Sequence, residues 1–375
     1  MLLSLRLPAL VALFVCLALF SLSAFGQGCI VARSNEQLIG PESQNGYLSP
    51  GEWDLTVGYR HQFSFRHFVG PTEQKYRVQQ GTEVMNKINL QDFNLGYTIS
   101  RRWSVSADLP LLLASRRSNN SAYTTTAAGI GDVVVTGQAW LWSTARETRG
   151  NILVGVGVSL PTGKDNVANT VDAFDGKGPR TVIDDYSIQP GSGGWGMVFR
   201  WQAFRSVGRS SVLYFLGNYI ATPQNTNRVL RTNANPTSLT AYNSISDQYL
   251  LEAGAARPIR RIRGLSWSFG PRMEGVPAHD LIGDNLGFRR PGFAISVQPG
   301  LQYARGKNML SPTVGKAVYR DRTRSVPDIM TGGHGDAAFA DYVWLASYSF
   351  RFGSPRNGEN SRSGQSGQSG QATSN

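Results

Sequence analysis

Along most of the chain, one residue in two is apolar. Between residues 53 and 66, Trp53, Leu55, Val57, Tyr59, Phe63 and Phe65 fall on one side of an extended backbone. Asp54, Thr56, Gly58, Arg60, Gln62, Ser64 and Arg66 fall on the other. Successive side chains of a strand point to opposite faces, so this alternation predicts a strand with one greasy and one polar face. It lasts about 14 residues, well beyond the roughly 5–6 of a soluble strand and enough for the ~9–11 that cross a bilayer at a tilt.

The pattern returns along the sequence. Phe93, Leu95, Tyr97 and Ile99 mark a second strand, and Trp103, Val105, Ala107 and Leu109 a third. Ile152 to Leu160, Trp195 to Trp201, Leu265 to Met273, Phe293 to Tyr303 and Tyr342 to Phe352 alternate in the same way. Segments at about 130–143, 211–222, 245–257 and 308–319 fit less cleanly and bring the total to twelve strands. Short connections near 100–102, 144–150, 205–210, 258–264 and 305–307 alternate with long ones at about 68–87, 116–128, 162–188, 223–244, 276–291 and 320–336.

Long loops on one side and tight turns on the other are the layout of an outer-membrane barrel. Hydrocarbon offers no water to backbone N–H and C=O groups, so a spanning sheet must close on itself and leave no edge. Its outer face meets lipid and its inner face meets water or a plug. The expected fold is therefore all-β: a closed antiparallel transmembrane β-barrel of about 12 strands, with long extracellular loops and short periplasmic turns. An even strand number puts both termini in the periplasm.

The aromatic residues supply a second signal. Trp53, Trp103, Trp201, Trp267, Tyr303 and Phe352 lie on the predicted lipid face toward the periplasmic strand ends, where an interfacial girdle belongs. The competing reading, core rings of a soluble β-sandwich, does not explain matching depth in six strands. Phe352 is also the terminal aromatic that outer-membrane assembly machinery is expected to read.

Composition changes the picture mainly at the ends. The 375 residues are 41% hydrophobic and 17% charged with 42 glycines, which suits a turn-rich β protein. Residues 1–26 read as a secretory signal peptide: Arg6, an apolar run from Leu7 to Phe20, and small residues before a cut after Gly26. Removing them lowers the formal net charge from +12 by the one charge of Arg6 to +11 and leaves Cys29 as the sole cysteine, with no disulfide framework or cysteine zinc site. Gly26 stands where a lipoprotein signal wants a leucine-type residue before Cys29, so a free thiol is preferred over lipidation. Residues 27–50 form an N-terminal periplasmic segment, 51–352 the barrel, and 353–375 a Gly/Ser/Gln-rich tail that lacks the apolar residues to fold.

Three short motifs carry a resemblance. Gly129-Ile130-Gly131-Asp132 opens a strand leading to Trp140, Ser159-Leu160-Pro161-Thr162-Gly163-Lys164 ends the next, and Pro190-Gly191-Ser192-Gly193 precedes the one after. In order and spacing they resemble outer-membrane transporters of meta-pathway phenol degradation (MetA-type). The resemblance implies a β-barrel for uptake of small, often aromatic or hydrophobic compounds, and it transfers no substrate-contacting residue. The glycines and prolines themselves read as folding devices at strand–loop junctions.

Candidate chemistry is sparse. The Gly157 to Gly163-Lys164 stretch has the wrong glycine spacing for a phosphate loop, with Asp165 in place of Ser or Thr. His61, His67, His279 and His334 show no metal-ligand spacing. His61 shares the lipid face and would be the base of an outer-membrane lipid hydrolase, but no serine partner can be named. The loop acids Asp165, Asp172, Asp175, Asp184 and Asp185 do not follow the calcium-loop template. That loop is a candidate constriction because of its length.

The lumen-facing charges Asp54, Arg60, Arg66, Asp132, Arg200, Glu252, Arg272, Glu274 and Arg351 form the candidate site, either selecting solutes or stiffening the wall as a salt-bridge ladder. No cofactor, metal or nucleic-acid partner is implied. The expected partners are the lipid bilayer with lipopolysaccharide, a small-molecule solute and the assembly machinery. The leading function is an outer-membrane channel or transporter for small hydrophobic or aromatic compounds. A plugged barrel serving as a surface-binding or structural scaffold is the alternative, and a lipid hydrolase comes third.

Overall fold

Twelve antiparallel staves run in chain order around a closed ring. This computed structural model describes residues 47–208 and 210–355, so the signal segment, Cys29 and the tail beyond residue 355 lie outside the described residues. The strands are β1 (Glu52–Val69), β2 (Thr72–Glu73), β3 (Val84–Thr98), β4 (Trp103–Ser118), β5 (Thr125–Ile130), β6 (Val133–Trp140), β7 (Gly150–Leu160), β8 (Ala168–Val171) and β9 (Arg180–Ile183). They continue as β10 (Gly196–Val207), β11 (Ser211–Ala221), β12 (Thr226–Leu230), β13 (Tyr242–Ser244), β14 (Gln248–Pro258), β15 (Leu265–Val276), β16 (Gly292–Arg305), β17 (Asn308–Asp321) and β18 (Ala337–Gly353). β5 and β6 share one stave, both pairing with β4. The short ribbons β8–β9 and β12–β13 belong to the long loops.

Closure is direct. β1 pairs with β18 from Glu52↔Gly353 to Phe68↔Ala337, so the sheet has no free long edge. The wall is inverted relative to a soluble protein. Trp103, Val156 and Trp344 are 59%, 64% and 53% exposed, while Thr56, Gln62, Asp92, Asp108, Thr136, Gln202, Gln298, Ser347 and Ser349 are buried. Apolar side chains facing outward are stable only against acyl chains, and the polar set turns toward the lumen.

Two departures from strict alternation share one cause. β3 begins at Val84, so residues expected in a loop are strand, and in its upper half the faces swap: Ile88 and Leu90 are buried inward while Lys87 and Gln91 are exposed. In β4, Leu112 and Ala114 also turn inward, alongside Ala127 of β5. Their partner is Ile188, fully buried in the loop between β9 and β10. That loop folds into the barrel mouth and makes the inner surface apolar there.

The break between β5 and β6 has its own reason. It faces Pro110 of β4, which has no N–H to donate to a ladder. The Pro110 carbonyl instead accepts from the Gly131 N–H at 2.7 Å.

Candidate functional site

The three glycine- and proline-rich motifs meet at one point on the extracellular rim. Asp132 is the hub. It accepts from the Gly163 N–H at 3.1 Å and from the backbone N–H and hydroxyl of Ser192 at 2.8 and 2.7 Å. The Thr162 hydroxyl donates to the Gly131 carbonyl at 2.8 Å and accepts from the Val133 N–H at 2.9 Å. Gly191 donates to the Lys164 carbonyl at 2.7 Å, and a Cβ on Gly191 would overlap the Gly163 backbone. Only two glycines let these segments approach so closely. The knot anchors the end of the inward loop, whose turn Tyr186–Ile188 is capped by the Asp185 carboxylate accepting from the Ser187 N–H.

Electrostatics fix the same loop from the other side. Arg290 clamps Asp185 with two N–H donors at 2.7 and 2.6 Å, and Arg116 of β4 lies at 3.5 Å. Burial alone would raise the Asp185 carboxyl, but Arg116 and Arg290 hold it well below its ordinary value. Its neighbour Asp184 goes the other way. Burial and the adjacent Asp185 charge push it up to about 6, against the bond it accepts from Asn169.

Below the loop, four of the lumen candidates join in a chain. Arg60 of β1 reaches across the lumen to Glu274 of β15 with two donors, at 2.9 and 2.5 Å. Arg272 bonds Glu274 at 2.9 Å and Glu252 at 3.4 Å, and the Tyr214 hydroxyl donates to Glu252 at 3.4 Å. Arg60 and Arg272 are 0% and 2% exposed. A charge removed from water this completely is tolerated only with its partner in place. Arg66 lies apart near the rim, bonded to Glu73 and Asp341. Arg200 pairs with Asp108 at 2.7 Å, a partner the sequence reading did not single out. Arg351 and Asp54 sit 4.0 Å apart near the periplasmic end.

Cavities lie among the loops and within the barrel, three of them linked by shared lining residues. The extracellular loops form an open cavity of about 600 Å³ between residues 231–240, 288–290 and 322–336. A second, about 50 Å³, lies against Leu90, Leu112, Tyr186 and Gln189. A third, about 30 Å³, shares Pro110, Ser192 and Gln248 with the second. It shares Asp108 and Arg200 with a periplasmic chamber of about 150 Å³. That chamber is lined by Asp54, Asn94, Gln138, Gln202, Arg351 and turn residues 100–102. The Tyr186 and Phe288 rings, edge to face at 5.8 Å, separate the first two spaces.

On the outer wall, Trp53 stacks with Phe352 at 6.2 Å and packs on Tyr97 at 4.5 Å. Trp103, Trp267 and Tyr303 are exposed near their strand ends. Trp201 is followed by residues 202–207 of β10 and lies over Gly217, which has no side chain to block the ring. The His61 imidazole meets the Asn89 side chain at 2.8 Å, and Asn89 also accepts from the Tyr59 hydroxyl at 2.8 Å. Among the described residues no cluster of His, Cys, Asp and Glu could hold a metal ion.

Comparison with known proteins adds the fold. No family model and no curated protein matches the chain in sequence. Among solved structures, an outer-membrane channel from Pseudomonas putida F1 matches with a TM-score of 0.55 at 13% identity, covering 84% of this chain and 100% of that one. Two further matches are the translocator domain of the autotransporter NalP from Neisseria meningitidis (TM-score 0.41, 11% identity, 82% and 90% covered) and the Ralstonia pickettii toluene transporter TbuX (0.40, 10%, 89% and 100%). The closed twelve-strand barrel described above is thus a fold of bacterial outer-membrane proteins.

Proposed function

We propose that this protein is an outer-membrane channel for uptake of small hydrophobic or aromatic compounds, exported by the signal in residues 1–26. The observation that carries the reading is the string of cavities, whose neighbours share lining residues from the inward loop down to the periplasmic chamber. Where the path meets the inward loop, the barrel wall contributes the apolar side chains of Leu90 and Leu112. The periplasmic chamber, at about 150 Å³, matches a cavity size that admits a benzene ring. The resemblance to phenol-degradation transporters points to the same compound class, and the P. putida structure is itself an outer-membrane channel. In this reading the lumen charges filter solutes, the ring of Trp53, Trp103, Trp201, Trp267, Tyr303 and Phe352 sits at the inner interface, and the long loops face lipopolysaccharide.

A second reading is a closed scaffold. It is favoured by the cross-lumen Arg60–Glu274 clamp and by the loop folded into the mouth. Planar-bilayer recording separates the two. A reproducible step conductance in potassium chloride supports the channel, and silence in a correctly folded preparation supports the scaffold.

A further inference from the structure

The extracellular cavity of about 600 Å³ contains an arginine, Arg231, that holds no carboxylate within ion-pair distance. Three other arginines line it, and each has a carboxylate: Arg289 with Asp280 at 2.5 Å, Arg290 with Asp185 at 2.6 Å and Arg322 with Asp328 at 3.1 Å. The two acids of the lining are also taken, Asp328 by Arg322 and Asp336 by His67 and Arg77. Arg231 makes no ion pair with any described residue. It donates one N–H to the Thr240 carbonyl at 3.1 Å and lies over the Phe288 ring, 3.3 Å from its centroid.

That stacking has a chemical consequence. A guanidinium laid on an aromatic face is held by its flat side, while its N–H donors point along its plane. Five such donors exist and one is used within the protein. Burial and the nearby Arg290 charge lower the Arg231 pKa despite the opposing charge of Asp185, so an arriving anion would relieve a cost already present. Phe288 carries Arg290 at 4.8 Å as well, so the aromatic support and the positive field coincide.

We propose that this vestibule is a recognition site for the carboxylate of a small organic acid, with Arg231 as the bidentate donor. The inference rests on the channel reading and narrows it: the solute drawn into the mouth is an aromatic or aliphatic carboxylate rather than a neutral hydrocarbon. Arg is the side chain suited to such a fork-to-fork contact.

Calorimetric titration of benzoate and its neutral isostere benzamide into the detergent-solubilised protein tests this. Wild type binds benzoate about tenfold or more tightly than benzamide, the difference expected of a charge-assisted pair. Arg231→Gln loses that preference, and Arg231→Lys, which keeps charge without the fork, restores part of it. Heat-modifiable gel migration confirms that both variants are folded. No preference for benzoate in wild type, or equal benzoate affinity in wild type and Arg231→Gln, overturns the proposal. Conductance in bilayers is a separate readout. Benzoate binding without conductance keeps the vestibule and removes the channel, whereas conductance without benzoate binding does the reverse.

Discussion

At the scale of single residues, the lumen shows what a buried charge requires. Arg60 and Arg272 have essentially no exposed surface, and they share Glu274. Glu274→Gln leaves both guanidinium groups short of a partner in a site without bulk water. The expected loss is about 3–5 kcal/mol of unfolding free energy, measured by denaturation in detergent. Replacing Arg60 and Glu274 together by Met removes charge and countercharge at once, and Arg272 still keeps Glu252. The double variant should be less destabilised than Glu274→Gln; a larger loss contradicts the pairing. The sequence placed Arg60, Glu252, Arg272 and Glu274 on the inner face because alternation fixes which way each points. It could not say that Arg60 would cross to β15, since strand partners distant in sequence leave no local trace.

Among the elements, the loop between β9 and β10 decides most. It explains where the sequence was hard to read. Residues 84–87 fall in the expected loop at 68–87 because Ile88 and Leu90 point inward and Lys87, Asn89 and Gln91 outward, the reverse of the barrel rule. The alternation that starts at Trp103 stops at Leu109 because both faces of β4 are apolar from there to Ala114. In both places the inner face is matched to Ile188, a residue that alternation cannot connect to them. The three motifs were legible as folding devices, but their convergence on Asp132 was not.

Deleting residues from the 162–188 loop, or loosening its anchor with Asp132→Asn, should raise single-channel conductance; unchanged conductance removes its role as a constriction. The loop should also respond to pH. Asp184 is raised to about 6 in the docked loop against an ordinary 3.8, so the docked state binds the proton more tightly than the released one. Docking therefore strengthens as pH falls through about 6 toward 4 and weakens as pH rises through that window. Bilayer recordings should show less opening at acidic than at neutral pH. Asp184→Asn should behave at both as the wild type does in acid, and persistence of the full pH effect in that variant contradicts the assignment.

For the whole molecule, one inversion dominates: outside the upper halves of β3 and β4, the greasy side of the staves looks out and the inner side is mostly polar or small. The twelve strands and the grouping of long and short loops on opposite sides were legible from alternation and connection length, because lipid imposes an apolar outer face on most residues that cross. β18 offers the most direct test, since Tyr342, Trp344, Tyr348 and Phe350 are exposed on it while Val343, Leu345, Ser347 and Ser349 are buried. Nitroxide labels placed one at a time from 342 to 350, with Cys29 replaced by serine, are read in lipid vesicles against oxygen and a water-soluble nickel quencher. The account predicts a two-residue oscillation, with oxygen contact highest at 342, 344, 346, 348 and 350 and lower at the positions between. Uniform quenching along the strand, or an oscillation of opposite phase, contradicts a lipid-facing apolar wall.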